Sequence, residues 1–507
     1  MAKVKNAVFL IGLDLGTTGA KAGLVDVRGH VIASAAVPYE TATPRPGWAE
    51  QDPQDWWRAS AAVIKQVVTE SGVDAGSVAG VALSGQMHGS VFLDSNKKVV
   101  RPCILWCDQR TAPQCGWITE NVGGGRLAEW VANPALPGFT APKVLWLKEN
   151  EPENYRAVST LLLPKDYINF RLTGKLATDV SDASGTLLFD VRRRKWSGEM
   201  LDALDIPPGW LPAVFESTDV IGVISREAAG ATGLPEGVPV AAGGADNACG
   251  ALGMGVTSPG EVAVSIGTSG TVLAPTAGPV VDPEMRLHSF CHSVPGAWYL
   301  MGVMLSAGSS LRWFRDELGE PERTLAEGKG KDPYQLLDET ASGAPAGCEG
   351  LVFLPYLTGE RTPHADPDAR GVLFGLDLTM TRAHVIRSVM EGVAFGLKDS
   401  LEIMRDLGVP IGSVTAGGGG SRSPLWRHIQ ADVFELPMRT PAESDAAMLG
   451  AALLAGTASG VFASVEKACR SVVSYGETVA PDPSNIGAYR RGYATFRSLY
   501  PALRDLF

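Results

Sequence analysis

Two short glycine-rich segments combine hydroxyl side chains with the backbone freedom needed to bind phosphate. Residues 16–19 read Gly-Thr-Thr-Gly, and residues 267–270 read Gly-Thr-Ser-Gly. Glycine lets a ligand approach the main chain closely, and outward-pointing N–H groups of such turns bind anions. One segment alone is typical of an ordinary β-turn, whereas two favour phosphate binding. The candidate phosphate contacts are Gly16, Thr17, Thr18, Lys21, Gly267, Thr268 and Ser269.

Two aspartates are candidates for metal binding and proton transfer. Asp14 ends an apolar stretch just before the first glycine-rich segment, where a carboxylate either caps the turn or binds a metal. Mg²⁺ is the metal expected beside phosphate, because it takes few carboxylates together with phosphate oxygens and water. Asp246 follows Gly243 and Gly244 and precedes a predicted helix. An N-cap role is the alternative, but the small neighbours leave room for a ligand and favour a reactive carboxylate. Asp14 and Asp246 are therefore the candidate metal ligands.

Two further motifs carry weaker signals. Met87 and His88 lie in the turn Gly-Gln-Met-His-Gly at residues 85–89. A structural role and a substrate contact are about equally expected there, since functional residues concentrate on such loops. The glycine run at 417–420 precedes a predicted helix and can admit a nucleotide, although it lacks the dinucleotide and Walker patterns. HExxH, GxSxG and paired CxxC motifs do not occur in the sequence. This disfavours metalloproteases, serine hydrolases and zinc sites.

These residues need a framework of alternating strands and helices. Apolar runs predict strands at residues 8–14, 21–26, 79–84, 91–94, 238–242, 261–266, 271–274, 298–304 and 414–416. Helical periodicity and capping residues predict helices at residues 52–67, 164–172, 247–255 and 381–407. The alternation predicts an α/β fold with a large parallel component.

The two glycine-rich segments also suggest an internal repeat. Each lies between two predicted strands, and the two copies are about half a chain apart. This predicts a duplicated, two-lobed architecture. Glycine, threonine, serine and proline cluster at residues 255–260, which places the boundary there. The predicted domains are residues 1–255, with Asp246 and the first phosphate segment, and residues 256–507, with the second.

Composition limits the classes of partner. The 507 residues contain 44 Lys and Arg against 55 Asp and Glu, a net charge of −11, which disfavours nucleic acid as a ligand. The uncharged stretch at residues 262–281 contains prolines and glycines, so it is not a membrane span. The apolar run after Lys3 and Lys5 lacks the cleavage site of a signal peptide. We therefore expect a cytoplasmic protein with neither a nucleic-acid nor a membrane partner.

Several motifs, taken in order, resemble those of the FGGY carbohydrate kinases. The resemblance is carried by DLGTTGAK (14–21), SGQMHG (84–89), LLPKDYINFRLTG (162–174), ATDVSDASGTLLFD (177–190), GGADNACGALG (243–253), SIGTSG (265–270), FLPYLTGERTPH (353–364), GVLFGLDL (371–378) and AGGGGSRSPLWRHIQAD (416–432). They span nearly the whole chain. LWCDQR (105–110) and PGFTAPKVLWL (137–147) are similar to the branch of the family that acts on D-xylulose.

The resemblance implies a fold, a reaction and residue roles. The implied fold has two ribonuclease-H-like lobes, as in actin and chaperone ATPases, with a central cleft. The implied reaction is ATP-dependent phosphorylation of D-xylulose with Mg²⁺, in a homodimer. By position, Asp246 matches the catalytic base and Asp14 the metal-associated carboxylate. The sugar-binding positions fall on Met87, His88, Asp246 and Asn247, and the nucleotide-binding positions fall on Gly308, Arg312, Gly418, Gly419 and Ser423.

Three alternatives remain open. The same chemistry can act on ribulose, L-xylulose, a pentitol or glycerol. An actin- or chaperone-like protein would use ATP as a conformational switch, but Asp246 beside Asn247 and the Met87-His88 turn favour a kinase. The third is a sugar sensor without catalytic activity. It is disfavoured by the negative charge and by the lack of a helix-turn-helix sequence before Val8.

Overall fold

Strands and helices alternate along most of the chain in a computed structural model that describes residues 8–507. Lys3 and Lys5, which entered the signal-peptide argument, lie outside the described residues. The strands are β1 (Phe9–Leu15), β2 (Gly19–Asp26), β3 (Val31–Pro38), β4 (Glu50–Gln51), β5 (Val78–Gly85), β6 (Val91–Leu93), β7 (Cys103–Ile104), β8 (Thr160–Leu162), β9 (Ala177–Asp179), β10 (Phe189–Asp190), β11 (Lys195–Trp196), β12 (Ala213–Phe215), β13 (Val220–Val223), β14 (Pro239–Ala241), β15 (Gly244–Ala245), β16 (Gly260–Ile266), β17 (Gly270–Thr276), β18 (His288–Cys291), β19 (Trp298–Met304), β20 (Val352–Leu354), β21 (Val372–Phe374), β22 (Ile411–Gly417) and β23 (Met438–Arg439).

The helices follow the same order along the sequence. They are α1 (Pro53–Glu70), α2 (Ala112–Asn121), α3 (Gly124–Trp130), α4 (Thr140–Asn150), α5 (Pro152–Ala157), α6 (Pro164–Thr173), α7 (Val180–Ala183), α8 (Gly198–Leu204), α9 (Arg226–Thr232), α10 (Asp246–Gly253), α11 (Gly308–Trp313), α12 (Glu320–Lys329), α13 (Pro333–Ala341), α14 (Arg382–Asp406), α15 (Pro424–Phe434), α16 (Ala446–Ala458), α17 (Val465–Val472) and α18 (Pro483–Leu503). Within residues 8–507, no helix has the length and apolar character needed to cross a membrane.

The chain divides into two compact units. The first unit contains residues up to Thr257 together with Ala277–Tyr299 and Asp445–Val473. The second unit contains Ser258–Thr276, Leu300–Ser444 and Ser474–Phe507. The first crossing between units, after Thr257, lies close to the predicted boundary at residues 255–260. The division into residues 1–255 and 256–507 stays a prediction about the functional lobes.

The first unit is built on a sheet with helices on both faces. Its strands follow the order β13-β14-β5-β1-β2-β3, and β15 also pairs with β5. Alternate residues of β1 point to opposite faces, as the two-residue period of a strand requires. Ile11 and Leu13 pack in a cluster with Trp56 of α1. Leu10 packs in a separate cluster with Met448 and Leu449 of α16. The strand that precedes Asp14 is therefore buried on both sides.

Glycines allow α16 to lie unusually close to its neighbours in the first unit. A Cβ atom on Gly12 of β1 would lie 2.1 Å from the carbonyl oxygen of Met448. A Cβ atom on Gly253 of α10 would lie 1.8 Å from the carbonyl oxygen of Ala446. Both distances are far shorter than a carbon–oxygen contact permits, so only glycine fits. Helix α10, which begins at Asp246, is consequently held firmly against α16.

The second unit contains a sheet of similar design. Five of its strands follow the order β19-β17-β16-β22-β23. Strand β16 is antiparallel to β17 and parallel to β22, just as β1 is antiparallel to β2 and parallel to β5. The two glycine-rich segments join β1 to β2 and β16 to β17. The internal repeat inferred from the sequence is thus present as two hairpins, each with a parallel strand beside it.

The sheets are mixed and include the predicted parallel component, to which the β15–β5 pair also contributes. In the first unit, β5 is parallel to β1 and β14, whereas the β1–β2, β2–β3 and β13–β14 pairs are antiparallel. Short connections explain the β1–β2 and β2–β3 pairs, because a parallel pair requires a crossover. The predicted first helix does form: α1 begins at Pro53, and Asp52 caps it by accepting a hydrogen bond from the Gln54 amide at 2.9 Å.

Candidate active site

Asp14 and Asp246 lie at the carboxyl ends of β1 and β15, the two strands that flank the end of β5 in the first unit. Asp14 is in register with Ser84 on one side of β5, and Gly244 of β15 is in register with Ser84 on the other side. Asp246 follows two residues later as the first residue of α10. The carboxyl ends of parallel strands are the usual location of ligand sites in open α/β sheets. The fold therefore gives both carboxylates a position suited to a reactive centre.

The surroundings of the two carboxylates raise their proton affinity. Burial, with a smaller contribution from the charge of Asp14, raises the pKa of Asp246 to about 7. Burial also raises the pKa of Asp14, against the lowering effect of a 2.8 Å hydrogen bond from Ser84 Oγ to its Oδ1. A carboxylate with a pKa near neutrality can both accept a proton and return it. Such a pKa is compatible with proton transfer by Asp246 near neutral pH.

The turn that contains Met87 and His88 is held rigidly in the first unit. His88 has a left-handed backbone conformation with φ of 70°, and its Nδ1 lies 2.5 Å from the carbonyl oxygen of Gly185. Because a carbonyl only accepts, the neutral ring carries its proton on Nδ1, and Nε2 is the ring nitrogen that accepts hydrogen bonds. The buried ammonium of Lys143 donates to the His88 carbonyl oxygen at 2.9 Å. In this tautomer Nε2 has the chemistry of an acceptor, which can take a hydrogen bond from a hydroxyl donor.

The predicted sugar-binding residues come together around Asn247. Its side-chain Nδ2 lies 3.8 Å from the sulfur of Met87 and 3.0 Å from Oδ1 of Asp246. The same Asp246 oxygen accepts a hydrogen bond from the Asn247 amide at 2.7 Å. Met87, Asp246 and Asn247 therefore form one group within the first unit, and His88 follows Met87 in the same turn.

The glycine-rich segment at residues 16–19 forms the predicted hairpin, and its lysine, Lys21, is paired with an aspartate. The amide of Gly16 donates to the carbonyl oxygen of Gly19 at 3.1 Å. Thr17 Oγ1 accepts a hydrogen bond from Trp106 at 2.9 Å, and Thr18 is exposed. Lys21 Nζ forms a 2.5 Å ion pair with Asp445, which stands just before α16. Sequence analysis missed Asp445, because a partner 424 residues away leaves no local signal.

The second hairpin is tied to the helix that follows it in the second unit. The amide of Gly267 donates to Ser269 O at 2.9 Å, and the amide of Gly308 donates to Gly267 O at 2.9 Å. A Cβ atom on Gly308 would lie 2.2 Å from Gly267 O, so this position requires glycine. The carbonyl oxygen of Thr268 accepts hydrogen bonds from the amides of Ala307 and Ser309. The carbonyl groups of the hairpin are thereby directed toward α11.

A pocket of ≈ 430 Å³ opens beside this hairpin within the second unit. Six predicted nucleotide contacts line it: Gly267, Thr268, Gly308, Arg312, Gly419 and Ser423. The pocket also contains residues that sequence analysis missed, namely Asp332, Tyr334, Gln335 and Asp338. These residues cap and form the start of α13, whose local pattern is that of any capped amphipathic helix. The volume and the mixture of apolar and polar walls suit a nucleoside.

Two of the predicted nucleotide contacts, Gly418 and Ser269, do not line this pocket. A third, Ser423, lines the pocket and also caps a helix. Gly418 has a left-handed backbone, and a Cβ there would lie 2.5 Å from Ile266 O, so it lets the glycine run approach β16. Ser269 lies on the hairpin itself, outside the described pocket lining. Ser423 lines the pocket and also caps α15, accepting a hydrogen bond from the Trp426 amide at 2.9 Å.

The acidic residues of the first unit fit Mg²⁺ only in combination with phosphate. In the described part of the chain, no group of three or more His, Cys, Asp or Glu side chains is arranged to hold a metal. Asp14 lies next to the glycine-rich hairpin at residues 16–19, and its charge acts on the nearby carboxylate of Asp246. Mg²⁺ is commonly bound by one or two carboxylates, with phosphate oxygens and water completing its shell. The carboxylates present therefore fit an Mg²⁺ ion whose remaining ligands are nucleotide phosphate oxygens and water.

Comparisons with known proteins agree with this geometry. The N-terminal domain model of the FGGY family of carbohydrate kinases matches residues 9–253, and the C-terminal domain model matches residues 262–459. Xylulose kinase of Escherichia coli is 40% identical over 501 residues, covering 98% of this chain and 99% of that protein. Xylulose kinase of Bacillus subtilis is 39% identical over 498 residues, covering 98% of both.

A solved structure supports the same relationship at the level of the fold. The crystal structure of xylulose kinase from Rhodospirillum rubrum is 33% identical and has a TM-score of 0.91. The match covers 98% of this chain and 99% of that one. With both domain models matched in order and relatives similar from end to end, this chain belongs to the FGGY family of carbohydrate kinases.

Proposed function

We propose that this kinase transfers the γ-phosphoryl group of ATP to the 5-hydroxyl of D-xylulose. Similarity to xylulose kinases over almost the full chain supports the substrate. The observation that carries the chemistry is the position of Asp246. Burial raises the pKa of its carboxylate to about 7, and the side chain lies in one group with Met87 and Asn247. A base beside hydrogen-bonding side chains is what phosphorylation of a sugar alcohol requires.

The first unit binds and activates the sugar in this mechanism. His88 Nε2 accepts a hydrogen bond from a sugar hydroxyl, and Asn247 orients a second one. Asp246 accepts the proton of the 5-hydroxyl as its oxygen bonds to phosphorus. A sugar hydroxyl is a poor nucleophile near neutral pH, so this proton transfer accounts for a large part of the rate. The product is D-xylulose 5-phosphate.

The second unit supplies the nucleotide site. The pocket between Gly308, Tyr334 and Ser423 holds the nucleoside, and the backbone of the 267–270 hairpin binds phosphate oxygens. The first hairpin, at residues 16–19, contributes N–H and hydroxyl groups to the transferring phosphate. Mg²⁺, held through Asp14, would offset negative charge on the phosphates when bound, which leaves Asp246 free to accept the proton.

A substrate panel tests the assignment. Purified protein is incubated with ATP and Mg²⁺ together with D-xylulose, D-ribulose, L-xylulose, D-xylitol or glycerol, and ADP release is followed in a coupled assay. We expect the highest kcat/KM for D-xylulose, and phosphorus NMR of the product should show a 5-phosphate. A higher kcat/KM for another polyol would replace D-xylulose as the substrate and keep the kinase. ATP turnover that no sugar stimulates would favour an ATP-driven switch.

Two further expectations accompany the reaction. An enzyme that consumes ATP and a free sugar has both substrates in the cytoplasm, which is where we place it. A homodimer is expected from the family resemblance, and analytical ultracentrifugation of the purified protein distinguishes it from a monomer.

A further inference from the structure

A fully buried lysine of the first unit lies among three aspartates. Lys165 of α6 has no solvent exposure, and its Nζ lies 2.7 Å from Asp166, 3.1 Å from Asp179 and 3.8 Å from Asp182. All three aspartates are buried as well. Removing so many charges from water is costly, and an apolar cluster of similar volume would often stabilise a fold as well. The proposed reaction gives Lys165 no role, so its surroundings need another explanation.

The hydrogen bonds from this cluster lead to the segment just before Asp246. Lys165 Nζ donates to the carbonyl oxygen of Ala242 at 3.2 Å. Asp179 Oδ2 accepts a 2.5 Å hydrogen bond from the hydroxyl of Ser181. That hydroxyl in turn accepts a 3.0 Å hydrogen bond from the amide of Ala245. One buried network therefore holds both ends of the segment from Ala242 to Ala245, and Asp246 is the next residue.

The held segment has little stiffness of its own. Its two middle residues are Gly243 and Gly244, and Gly243 adopts a left-handed conformation with φ of 74°. A Cβ on Gly244 would lie 2.3 Å from Ser293 Oγ and 3.2 Å from Ser181 Oγ, so the close packing here requires glycine. Glycine has the greatest backbone freedom of any residue. External hydrogen bonds are therefore needed to fix the direction in which the chain enters α10.

We infer that Lys165, Asp179 and Ser181 form a positioning network, which fixes the backbone before Asp246 and thereby aims its carboxylate at the sugar hydroxyl. The inference rests on the proposed role of Asp246 as the base. Lys165 anchors Asp179, Asp179 fixes the hydroxyl of Ser181, and Ser181 holds the Ala245 amide. Small misplacements of a reacting group cost large factors in rate, so the network acts on kcat rather than on substrate affinity.

Two buried serines of the same segment provide a matched test. Ser181→Ala removes the hydroxyl that holds the Ala245 amide. Ser184→Ala removes a hydroxyl three residues later in the chain. That hydroxyl accepts a 3.1 Å hydrogen bond from the amide of Cys291 and donates to the carbonyl oxygen of Val180. Neither bond involves the segment before Asp246. Both changes delete one buried hydroxyl, so similar losses of melting temperature are expected. kcat and both KM values are measured with D-xylulose and ATP well below the melting temperature.

The two variants should differ in kcat. We expect Ser181→Ala to lower kcat about tenfold, with the sugar and ATP KM values within about twofold of wild type. Ser184→Ala should keep kcat within about twofold. Asp179→Asn, which retains shape but weakens the hold on Ser181, should lower kcat in the same way as Ser181→Ala. Equal kcat losses in the two serine variants, or an unchanged kcat in Ser181→Ala, would overturn the inference.

The proposed function fails by a different result. If Asp246→Asn retained wild-type kcat, Asp246 would not be the base, whatever the serine variants did. If Asp246→Asn lost activity while Ser181→Ala and Asp179→Asn kept theirs, the base would stand and the positioning network would be rejected.

Discussion

At the residue scale, the proposed chemistry depends on two partly buried carboxylates whose charges interact. The charge of Asp14 adds to burial in raising the pKa of Asp246 to about 7. A base works only in its ionised form. Below pH 7 most Asp246 carboxyls carry a proton and cannot take another from the sugar. We therefore expect kcat to rise with pH through about 7 and to level off above it, as measured in a coupled assay across pH 5.5 to 9.

Replacing Asp246 separates this effect from other titrations. Asp246→Asn keeps the size of the side chain and removes the base, so kcat should fall by about 10²–10⁴. Its residual activity should show no inflection near pH 7. Nucleotide affinity, measured by calorimetry, should stay unchanged because the pocket consists of second-unit residues. An inflection at the same pH in the variant would assign that titration to a different group.

His88 should act on the sugar alone. A neutral hydrogen bond contributes ~0.5–1.5 kcal/mol, so His88→Ala should raise the sugar KM by about two- to tenfold. The KM for ATP should not change. His30→Ala is a matched control, because that histidine is exposed and pairs only locally with Asp26. If the ATP KM rose instead, the turn at residues 85–89 would belong to the nucleotide site.

The Asp14→Asn variant should show whether Asp14 binds Mg²⁺ or only stabilises the structure. Asp14→Asn removes the charge but keeps an oxygen that can accept the hydrogen bond from Ser84. Activity should then fall steeply and the Mg²⁺ titration midpoint should rise, because an amide attracts a hard cation less strongly. Ser84→Ala is the opposite control, since it removes the hydrogen bond and keeps the charge. A lower melting temperature with an unmoved Mg²⁺ midpoint would leave Asp14 a purely structural residue.

At the scale of elements, the second hairpin depends on one glycine contact. Because a Cβ on Gly308 would lie 2.2 Å from Gly267 O, Gly308→Ala must push α11 away from the hairpin. We expect a loss of about 1–3 kcal/mol in stability and a higher KM for ATP, with an unchanged sugar KM. Gly328→Ala, in α12 of the same unit, meets no atom within 4 Å and should not destabilise the fold. Equal effects of the two substitutions on the ATP KM would show that the contact does not shape the site.

Local elements were predictable where one short-range signal decides the structure. The hairpins follow from glycines between apolar runs, and α1 follows from Asp52 and Pro53 before an amphipathic stretch. The sequence at the start of α13 predicts a capped helix. It does not indicate which other segments pack beside that helix, so its place in the pocket was not predictable. The ion pair of Lys21 with Asp445 was not predictable either, because it arises only when α16 packs on β1. Sequence analysis therefore identified the loops better than the partners that restrain them.

At the scale of the whole molecule, long-range packing decides which segments of the chain belong to each unit. Residues 445–473 belong to the first unit although second-unit sequence precedes and follows them. Helix α16 is buried on almost every side, so it lacks the apolar stripe that would indicate a neighbour. Its location depends on close approaches such as that of Gly450, where a Cβ would lie 1.9 Å from the carbonyl oxygen of Cys249. Steric fits of this kind exist only between folded elements and are invisible in a linear pattern.

The proposed sugar and nucleotide sites lie in different units, which leads to a prediction for the whole molecule. The proposed sugar contacts His88 and Asp246 belong to the first unit, and the pocket with Gly308 and Tyr334 belongs to the second. Each ligand should therefore protect its own unit from amide hydrogen exchange, since binding lowers the population of locally open states. Hydrogen exchange is measured by mass spectrometry with D-xylulose alone and with a non-hydrolysable ATP analogue alone.

D-xylulose alone should slow exchange in peptides covering residues 85–89 and 244–250, and the analogue should slow it in peptides covering 266–270, 308–313 and 333–338. Asp246→Asn serves as the control, because it should keep the protection given by the analogue while losing activity. The measurement reports each site without requiring turnover, so an inactive variant remains informative. Protection by D-xylulose confined to the second unit, with none at residues 85–89, would place the sugar elsewhere and remove the basis for assigning Met87, His88 and Asn247 to it.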